Sequence, residues 1–99
     1  MKFNIPSRFT LGGVEYKVEY DKNMASDGKY GEWDSDGLIT LATQRRGNEL
    51  NESLKRQNFF HELTHAILYQ MGRNDLSGDE GFVQTFSSFL SGTIDTMEL

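Results

Sequence analysis

The sequence predicts an α+β fold in which a small antiparallel sheet of three to four strands packs on two helices. Two observations carry this prediction: apolar and polar residues alternate along the first half of the chain, and apolar residues recur at helical spacing along the second half. The chain has 99 residues, enough for one domain with one modest core. We therefore expect β-hairpins in residues 1–47, a long helix in 48–72 and a C-terminal helix in 79–95.

The first hairpin is predicted around Gly12-Gly13, a pair that suits a tight turn between two strands. Residues 14–20 after it alternate between apolar and charged side chains, as in a strand with one buried face. A second hairpin is predicted from strands at 30–33 and 38–43, which flank the turn sequence Asp-Ser-Asp-Gly.

The two helices are predicted from their ends and their apolar spacing. Asn48 or Asn51 is suited to cap the first helix, and Gly72 is suited to end it. A polar loop at 73–78 separates it from the last helix. The apolar stripe of that last helix consists of Phe82, Val83, Phe86, Phe89, Leu90 and Ile94.

The first helix contains the sequence His61-Glu62-Leu63-Thr64-His65, which has the pattern H-E-x-x-H and includes both histidines of the chain. Residues four apart lie on one face of a helix, so His61 and His65 can present two imidazoles to one metal ion. Glu62 is then close enough to take a proton from a water molecule that the metal activates. The many apolar neighbours of Glu62 in the helix place this carboxylate in or beside the core.

Composition restricts the kind of site and the surroundings. The chain has no cysteine, so a zinc ion would be held by His, Asp or Glu. The lack of cysteine and of an apolar N-terminal signal leads us to expect a cytoplasmic protein, and no apolar run has membrane-spanning length. A net charge of −5 argues against a nucleic-acid partner.

Two histidines are too few for a catalytic zinc site, which takes three protein ligands and keeps one open position. A carboxylate from a later element must complete the set, and four are candidates: Asp75, Asp79, Glu80 and Asp95. We favour Glu80, because a helix that returns beside the first could direct its first turn at the metal. Acidic residues in a first helical turn are also favoured without a metal, by capping and by the helix dipole, so the other three stay open.

These features resemble compact zincin-type metallopeptidases, in particular the ImmA/IrrE-type group and its short relatives encoded by phages and mobile elements. The likeness lies in a small sheet, the segment Phe59-Phe60-His61-Glu62-Leu63-Thr64-His65-Ala66-Ile67-Leu68 and the later Glu80-Gly81-Phe82-Val83. It implies a minimal zincin-like domain with Zn²⁺ on His61, His65 and Glu80 and with Glu62 as the general base. It also implies that strand 38–43 borders the cleft and pairs with an extended substrate. That substrate would be a protein or peptide, for example a regulatory protein.

The chain differs from the resembling group in two ways. Larger members carry additional helices and sensing or DNA-binding parts, for which this chain has no room. Such sites also commonly use a histidine or tyrosine to stabilise the oxyanion, and no third histidine exists here. Tyr69, one turn beyond His65, and Tyr30 are candidates for that role, although a tyrosine in the core is the commoner arrangement.

Three functions are therefore consistent with the sequence. The first is a zinc-dependent metallopeptidase that hydrolyses peptide bonds. The second is an interaction protein of the phage or mobile-element type that keeps the motif and acts by binding a partner. The third is a structural zinc site, although such sites usually have four ligands and often cysteines. An exposed edge strand would suit either a substrate or a second copy of the chain, which leaves the oligomeric state open.

Overall fold

The computed structural model describes residues 3–98. Its strands are β1 (Arg8–Leu11), β2 (Val14–Asp21), β3 (Gly31–Asp34), β4 (Leu38–Ala42), β5 (Gln44–Arg45) and β6 (Asn48–Glu49). Its helices are α1 (Glu52–Gln70), the short α2 (Asn74–Ser77) and α3 (Glu80–Thr96), and a 3-10 turn lies at Met24–Asp27. Strands β1 to β4 form one sheet, α1 packs on β3 and β4, and α3 packs on α1. The α+β class predicted from the sequence is confirmed.

The four-stranded sheet is mixed, although an antiparallel sheet was predicted from the sequence. Its order is β1-β2-β4-β3, and both predicted hairpins are present as antiparallel pairs. The central pair is parallel and runs from Lys17 opposite Leu38 to Asp21 opposite Ala42. The chain leaves β2, crosses over through the 3-10 turn and β3, and enters β4 in the direction of β2. This arrangement places β3 at an edge of the sheet.

The main core lies between the inner face of the sheet and α1. Tyr16 and Val18 of β2 are buried, whereas the charged residues between and around them are exposed, as the alternation predicted. The buried cluster consists of Tyr16, Val18, Ile39, Leu41, Phe59, Phe60 and Ala66. Burying each large apolar side chain contributes about 1.5–3 kcal/mol, so this cluster is the principal support for the position of α1.

Helix α1 begins and ends with well-defined caps. Asn51 is the N-cap, and its side-chain oxygen accepts a hydrogen bond of 2.8 Å from the Leu54 amide. Asn48, the alternative cap, lies in β6, so the helix starts later than residue 48. At the other end Gly72 has φ of 76°, and the amides of Gly72 and Arg73 bond to the carbonyls of Tyr69 and Leu68. This is the Schellman pattern, for which glycine is the preferred residue.

Helix α3 buries a narrower stripe than its sequence predicted. The residues that are fully buried in it are Val83, Ser87 and Ser91, whose small side chains are suited to close packing against a neighbouring element. Phe86 and Phe89 were expected in the apolar stripe, but they are 48% and 75% exposed. These two side chains of the stripe are exposed because the stripe spans more of the helix circumference than one neighbouring helix covers.

A largely buried ion pair joins the two long helices. Arg56 Nε of α1 donates to Asp95 Oδ1 of α3 at 2.8 Å, and the two side chains are 7% and 17% exposed. A second pair, Arg73 with Asp75, has a similar length of 2.9 Å but lies on the surface. The hydrogen bond from Arg73 lowers the pKa of Asp75.

None of the helices in residues 3–98 combines the length and apolar character that crossing a bilayer requires.

Neutralising Asp95 should destabilise the protein far more than neutralising Asp75. Asp95→Asn leaves the Arg56 charge buried without its partner, which costs about 3–5 kcal/mol, whereas Asp75→Asn removes a surface pair worth about 0–1 kcal/mol. Urea denaturation at neutral pH measures both free energies of unfolding. Equal losses in the two variants would contradict the structural role of the Arg56–Asp95 pair.

Candidate metal centre

Both histidines of the H-E-x-x-H sequence lie on one face of α1, as the four-residue spacing predicted. His65 is buried and His61 is partly exposed, and their ring centroids are 5.0 Å apart with planes inclined by 67°. The apolar residues around them anchor α1 to the sheet, so the backbone that carries both rings is held by the core. The rings thus face a common point beside the helix.

Glu80, the first residue of α3, reaches both histidines. Its Oε2 lies 3.2 Å from His61 Nε2, and its Oε1 lies 3.1 Å from His65 Nε2. Metal–ligand bonds of about 2.0–2.1 Å in a tetrahedral zinc site place neighbouring ligand atoms about 3.3 Å apart. The two nitrogen–oxygen separations are close to that value, although the Glu80 side chain is 70% exposed.

The outer nitrogen of each imidazole is bound to an acceptor. His65 Nδ1 lies 2.6 Å from the carbonyl oxygen of Ser77, and His61 Nδ1 lies 3.0 Å from Gln84 Oε1. A carbonyl oxygen only accepts, so each Nδ1 carries the proton and donates it. In the neutral imidazoles both Nε2 lone pairs then point toward the Glu80 carboxylate.

The donor set fits a divalent cation. Nε2 lone pairs and a carboxylate at such short distances repel one another, and a cation between them reverses the sign of the interaction. The three ligand atoms, one each from His61, His65 and Glu80, lie within 4.8 Å of one another. Hydrogen bonds from the far side of each imidazole are the usual support for metal-binding histidines. These three residues could therefore hold a metal ion.

The other three carboxylates considered as ligands lie elsewhere. Asp79 is the N-cap of α3, and its Oδ1 accepts a 3.0 Å hydrogen bond from the Phe82 amide. Asp75 is paired with Arg73, and Asp95 with Arg56. Glu80 does not cap α3, because Asp79 occupies the cap and Glu80 follows it directly. Glu80 is the carboxylate that the fold brings to the two histidines.

Glu62 lies beside the metal-binding group and is only 7% exposed. A Cβ atom at Gly31 would lie 2.9 Å from Glu62 Cγ and Oε2, so the absence of a side chain at Gly31 makes room for the carboxylate. Burial, with repulsion from Glu80 and then Glu32, raises the pKa of Glu62 from its usual 4.5 to about 7. A cation bound nearby would favour the ionised carboxylate and lower that pKa.

A cleft of about 330 Å³ opens over this group. One wall is the edge strand β3 with Gly31, Glu32 and Trp33, and the opposite wall carries His61, Glu62, His65 and Glu80. Strand 38–43 was expected to border the cleft, but β4 lies inside the sheet between β2 and β3. The parallel pairing of β2 with β4 is the cause, because it leaves β3 as the strand with an unpaired edge next to the cleft.

Neither tyrosine considered for oxyanion stabilisation lies in the 330 Å³ cleft. Tyr69 is 44% exposed and packs against Trp33, with centroids 5.4 Å apart. Tyr30 packs beside Met24 and Ala42 and lines a neighbouring cavity together with Glu62. Tyr69 is therefore a neighbour of Trp33, whereas Tyr30 shares a cavity with His61, Glu62 and Glu80.

Three contributors to the site were missed by sequence reasoning. Gln84 lies one turn after Glu80 on α3, and this spacing could have indicated it. Trp33 stacks on His65 with planes 10° apart, and a large apolar residue in an edge strand was the signal for it. Ser77 gave no signal, because its backbone carbonyl makes the contact. Its hydroxyl also donates to the His65 carbonyl at 3.1 Å.

Comparison with models of known protein families, with curated proteins and with solved structures finds no match to this chain. The resemblance to the ImmA/IrrE-type group therefore stays a prediction from the residues quoted above.

Metal titration should identify the ligands directly. We expect one Co²⁺ or Zn²⁺ ion per chain, lost in His65→Ala and bound at least about 100-fold more weakly in Glu80→Ala, since a ligand contributes more than its hydrogen-bond partners do. Co²⁺ should also quench the fluorescence of Trp33, the single tryptophan, because its ring stacks on His65. Asp79→Asn is the matched control: asparagine preserves the helix cap, and metal affinity should not change. Weaker binding in this control would contradict the ligand set.

Stability of the metal-free protein should depend on pH through Glu62. The folded-state pKa of Glu62 lies above its usual 4.5, so between about pH 4.5 and 7 the folded chain keeps a proton that the unfolded chain has released. Stability is therefore highest at the acid end of this window and falls as pH rises through it, by roughly 2–3 kcal/mol. Glu62→Gln should remove this slope, and exposed Glu19→Gln should retain it. Denaturation in chelator at several pH values tests this, and identical slopes in wild type and Glu62→Gln would refute it.

Proposed function

We propose that this protein is a zinc-dependent metallopeptidase. The observation that carries the proposal is the convergence of His61, His65 and Glu80 at 3.1–3.2 Å between imidazole nitrogens and carboxylate oxygens, with buried Glu62 beside them. A structural zinc site is usually closed by four protein ligands. Three ligands beside an open cleft support a catalytic site, where one position is left for water or substrate.

The chemistry of the ligands supports zinc. Two imidazoles and one carboxylate are a donor set of catalytic zinc enzymes, whereas calcium and magnesium prefer oxygen ligands throughout. The carboxylates of Glu32, Glu62 and Glu80 surround the point where the ion would lie, and Lys29 is paired with Glu32 at 3.3 Å. This excess of negative charge favours a divalent cation.

The proposed reaction is hydrolysis of a peptide bond. Zinc, when bound, would polarise the scissile carbonyl and bring the pKa of a water molecule down toward about 7. Glu62 accepts the proton of the attacking water and donates it to the nitrogen of the leaving amine. The position of Glu62 suits both steps, because it lines the cleft together with the three ligand residues and is buried from bulk water.

The hydrogen bonds around the site support its stiffness. Ser77 and Gln84 hold the two imidazoles by Nδ1, so His61 and His65 keep their Nε2 atoms directed at the ion. Trp33 covers one face of His65 and keeps water from it. The edge of β3 offers backbone groups to an extended peptide, which supports a protein or peptide as substrate. The resemblance stated above favours a regulatory protein.

A second candidate function, binding of a partner protein, is favoured by one observation. A groove of about 370 Å³ between the helices is lined by apolar groups that include Met71, Phe82 and Phe86. Phe89, which directly precedes the lining residue Leu90 in the sequence, is 75% exposed. Apolar surface of this kind often marks an interaction site. If partner binding is the function, the metal-binding residues would stabilise the fold or the binding surface. Loss of the Glu62 charge would then leave the affinity for the partner unchanged.

Substitution of Glu62 tests the proposed hydrolysis. Glu62→Gln keeps the shape of the side chain but removes the base, so we expect cleavage of fluorescence-quenched peptides by zinc-loaded protein to fall about 10²–10⁴-fold. Zinc content should not change. Glu52→Gln, on an exposed turn of the same helix, is the control for contaminating proteases and should cleave at the wild-type rate.

Two results would count against the peptidase. Cleavage by Glu62→Gln at the wild-type rate would remove Glu62 as the base. A zinc-loaded wild type that cleaves none of the peptides in a broad library would favour the binding function instead.

A further inference from the structure

A second cavity, of about 300 Å³, extends the metal centre toward the N-terminal end of α1. It shares His61, Glu62 and Glu80 with the cleft described above. Its remaining lining residues are Gly28, Tyr30, Gly31, Asn58 and Gln84. A peptide that lies across the metal centre would have one of its ends in this cavity.

The helical wall of this cavity has many hydrogen-bond acceptors and few free donors. His61 uses Nδ1 to bond Gln84 and directs Nε2 at Glu80. Gln84 in turn uses its own amide group to donate to Ser88 at 3.0 Å. Ionised Glu62 and Glu80 only accept. A peptide brings carbonyl oxygens that need donors, and these four residues leave only the second N–H of the Gln84 amide for them.

Asn58 adds a donor to this wall. It lies one turn before Glu62 on the same face of α1 and lines the cavity. Its Nδ2 atom is buried, and within residues 3–98 no acceptor forms a hydrogen bond with it. A buried donor without a partner destabilises a fold, so such a group needs an explanation of its own. Leucine has a similar volume and would fill the same space without that cost.

We propose that Asn58 binds the backbone of the peptide substrate through its side-chain amide. The proposal rests on the peptidase function above and adds a substrate-binding residue to it. Rotation about χ2, a torsion with a broad range in asparagine, turns Nδ2 toward the cavity. The amide then donates from Nδ2 to a substrate carbonyl. Because every peptide carries backbone carbonyls, this contact recognises the backbone and not a particular side chain.

Two hydroxamate probes on the Co²⁺-loaded protein test the proposal. Acetohydroxamate reaches only the metal, whereas N-acetyl-trialanine hydroxamate adds backbone groups that extend into the cavity. Their affinities are measured by the visible spectrum of Co²⁺ in wild type, Asn58→Leu and the control Gln57→Leu, which changes the exposed neighbour. We expect Asn58→Leu to weaken the trialanine probe about tenfold, the effect of one hydrogen bond, and to leave acetohydroxamate unchanged. Gln57→Leu should bind both probes as the wild type does.

Thermal denaturation accompanies the binding measurements. Asn58→Leu should melt at the wild-type temperature or above it, because the substitution removes an unpaired buried donor and introduces a good helix former. A lower melting temperature together with weaker binding of both probes would mean that Asn58 supports the fold, and it would overturn the proposal.

The other possible results of the binding measurements would also overturn the proposal. Unchanged affinity for the trialanine probe in Asn58→Leu would overturn the proposal, and so would a wild type that binds the two probes equally well. A wild type that binds Co²⁺ but neither hydroxamate would refute the open catalytic site, and the proposed function would fail together with this inference. Binding of acetohydroxamate with no effect at Asn58 would leave the peptidase standing and remove Asn58 alone.

Discussion

The position of Glu80 relative to α1 is the constraint on which the metal centre depends. Two histidines on one helix are local geometry, but the third ligand belongs to another helix and must be held in register. The link is the short α2, where the Ser77 carbonyl accepts from His65 and the Ser77 hydroxyl donates to the His65 carbonyl. The Asp79 cap then sets the direction in which α3 begins. His65 thus anchors the connection that brings Glu80 to the candidate metal site.

The site concentrates negative charge that Lys29, paired with Glu32, offsets only in part. Glu62 is buried against Gly31, and Glu32 and Glu80 lie close enough to raise its pKa. In the absence of a cation this arrangement destabilises the folded state, since burial and like charges both disfavour the ionised form. Asp95, a carboxylate with a structural role, differs because it is paired with Arg56. Glu62 is buried beside other carboxylates, whereas Asp95 is only partly buried and faces Arg56.

Much of the fold and part of the site could be predicted from the sequence, for local reasons. The hairpins, the Asn51 cap, the Gly72 terminus and the common face of the two histidines all follow from residues close together in the chain. The favoured ligand, Glu80, was also the carboxylate that α3 brings to the histidines.

Non-local packing explains what the sequence could not indicate. The parallel pairing of β2 with β4 joins segments that belong to different hairpins, and neither hairpin specifies it. The identity of the edge strand depends on that pairing. Ser77 contributes through its backbone carbonyl, a group that every residue possesses. Phe89 is exposed because no neighbouring element within residues 3–98 covers that side of α3. In each case the deciding partner is distant in the chain.

The connection between α1 and α3 is held by contacts with the candidate metal site, whereas the β5–β6 turn is not. This difference determines where the chain tolerates added residues. Added residues between Gly72 and Asp79 would break the paired Ser77–His65 contacts and carry Glu80 away from its neighbours. The tip of the β5–β6 hairpin, Arg46-Gly47, is exposed and makes no comparable link to the metal centre. An affinity tag or a fluorescent label inserted at that tip would leave the coordination geometry intact.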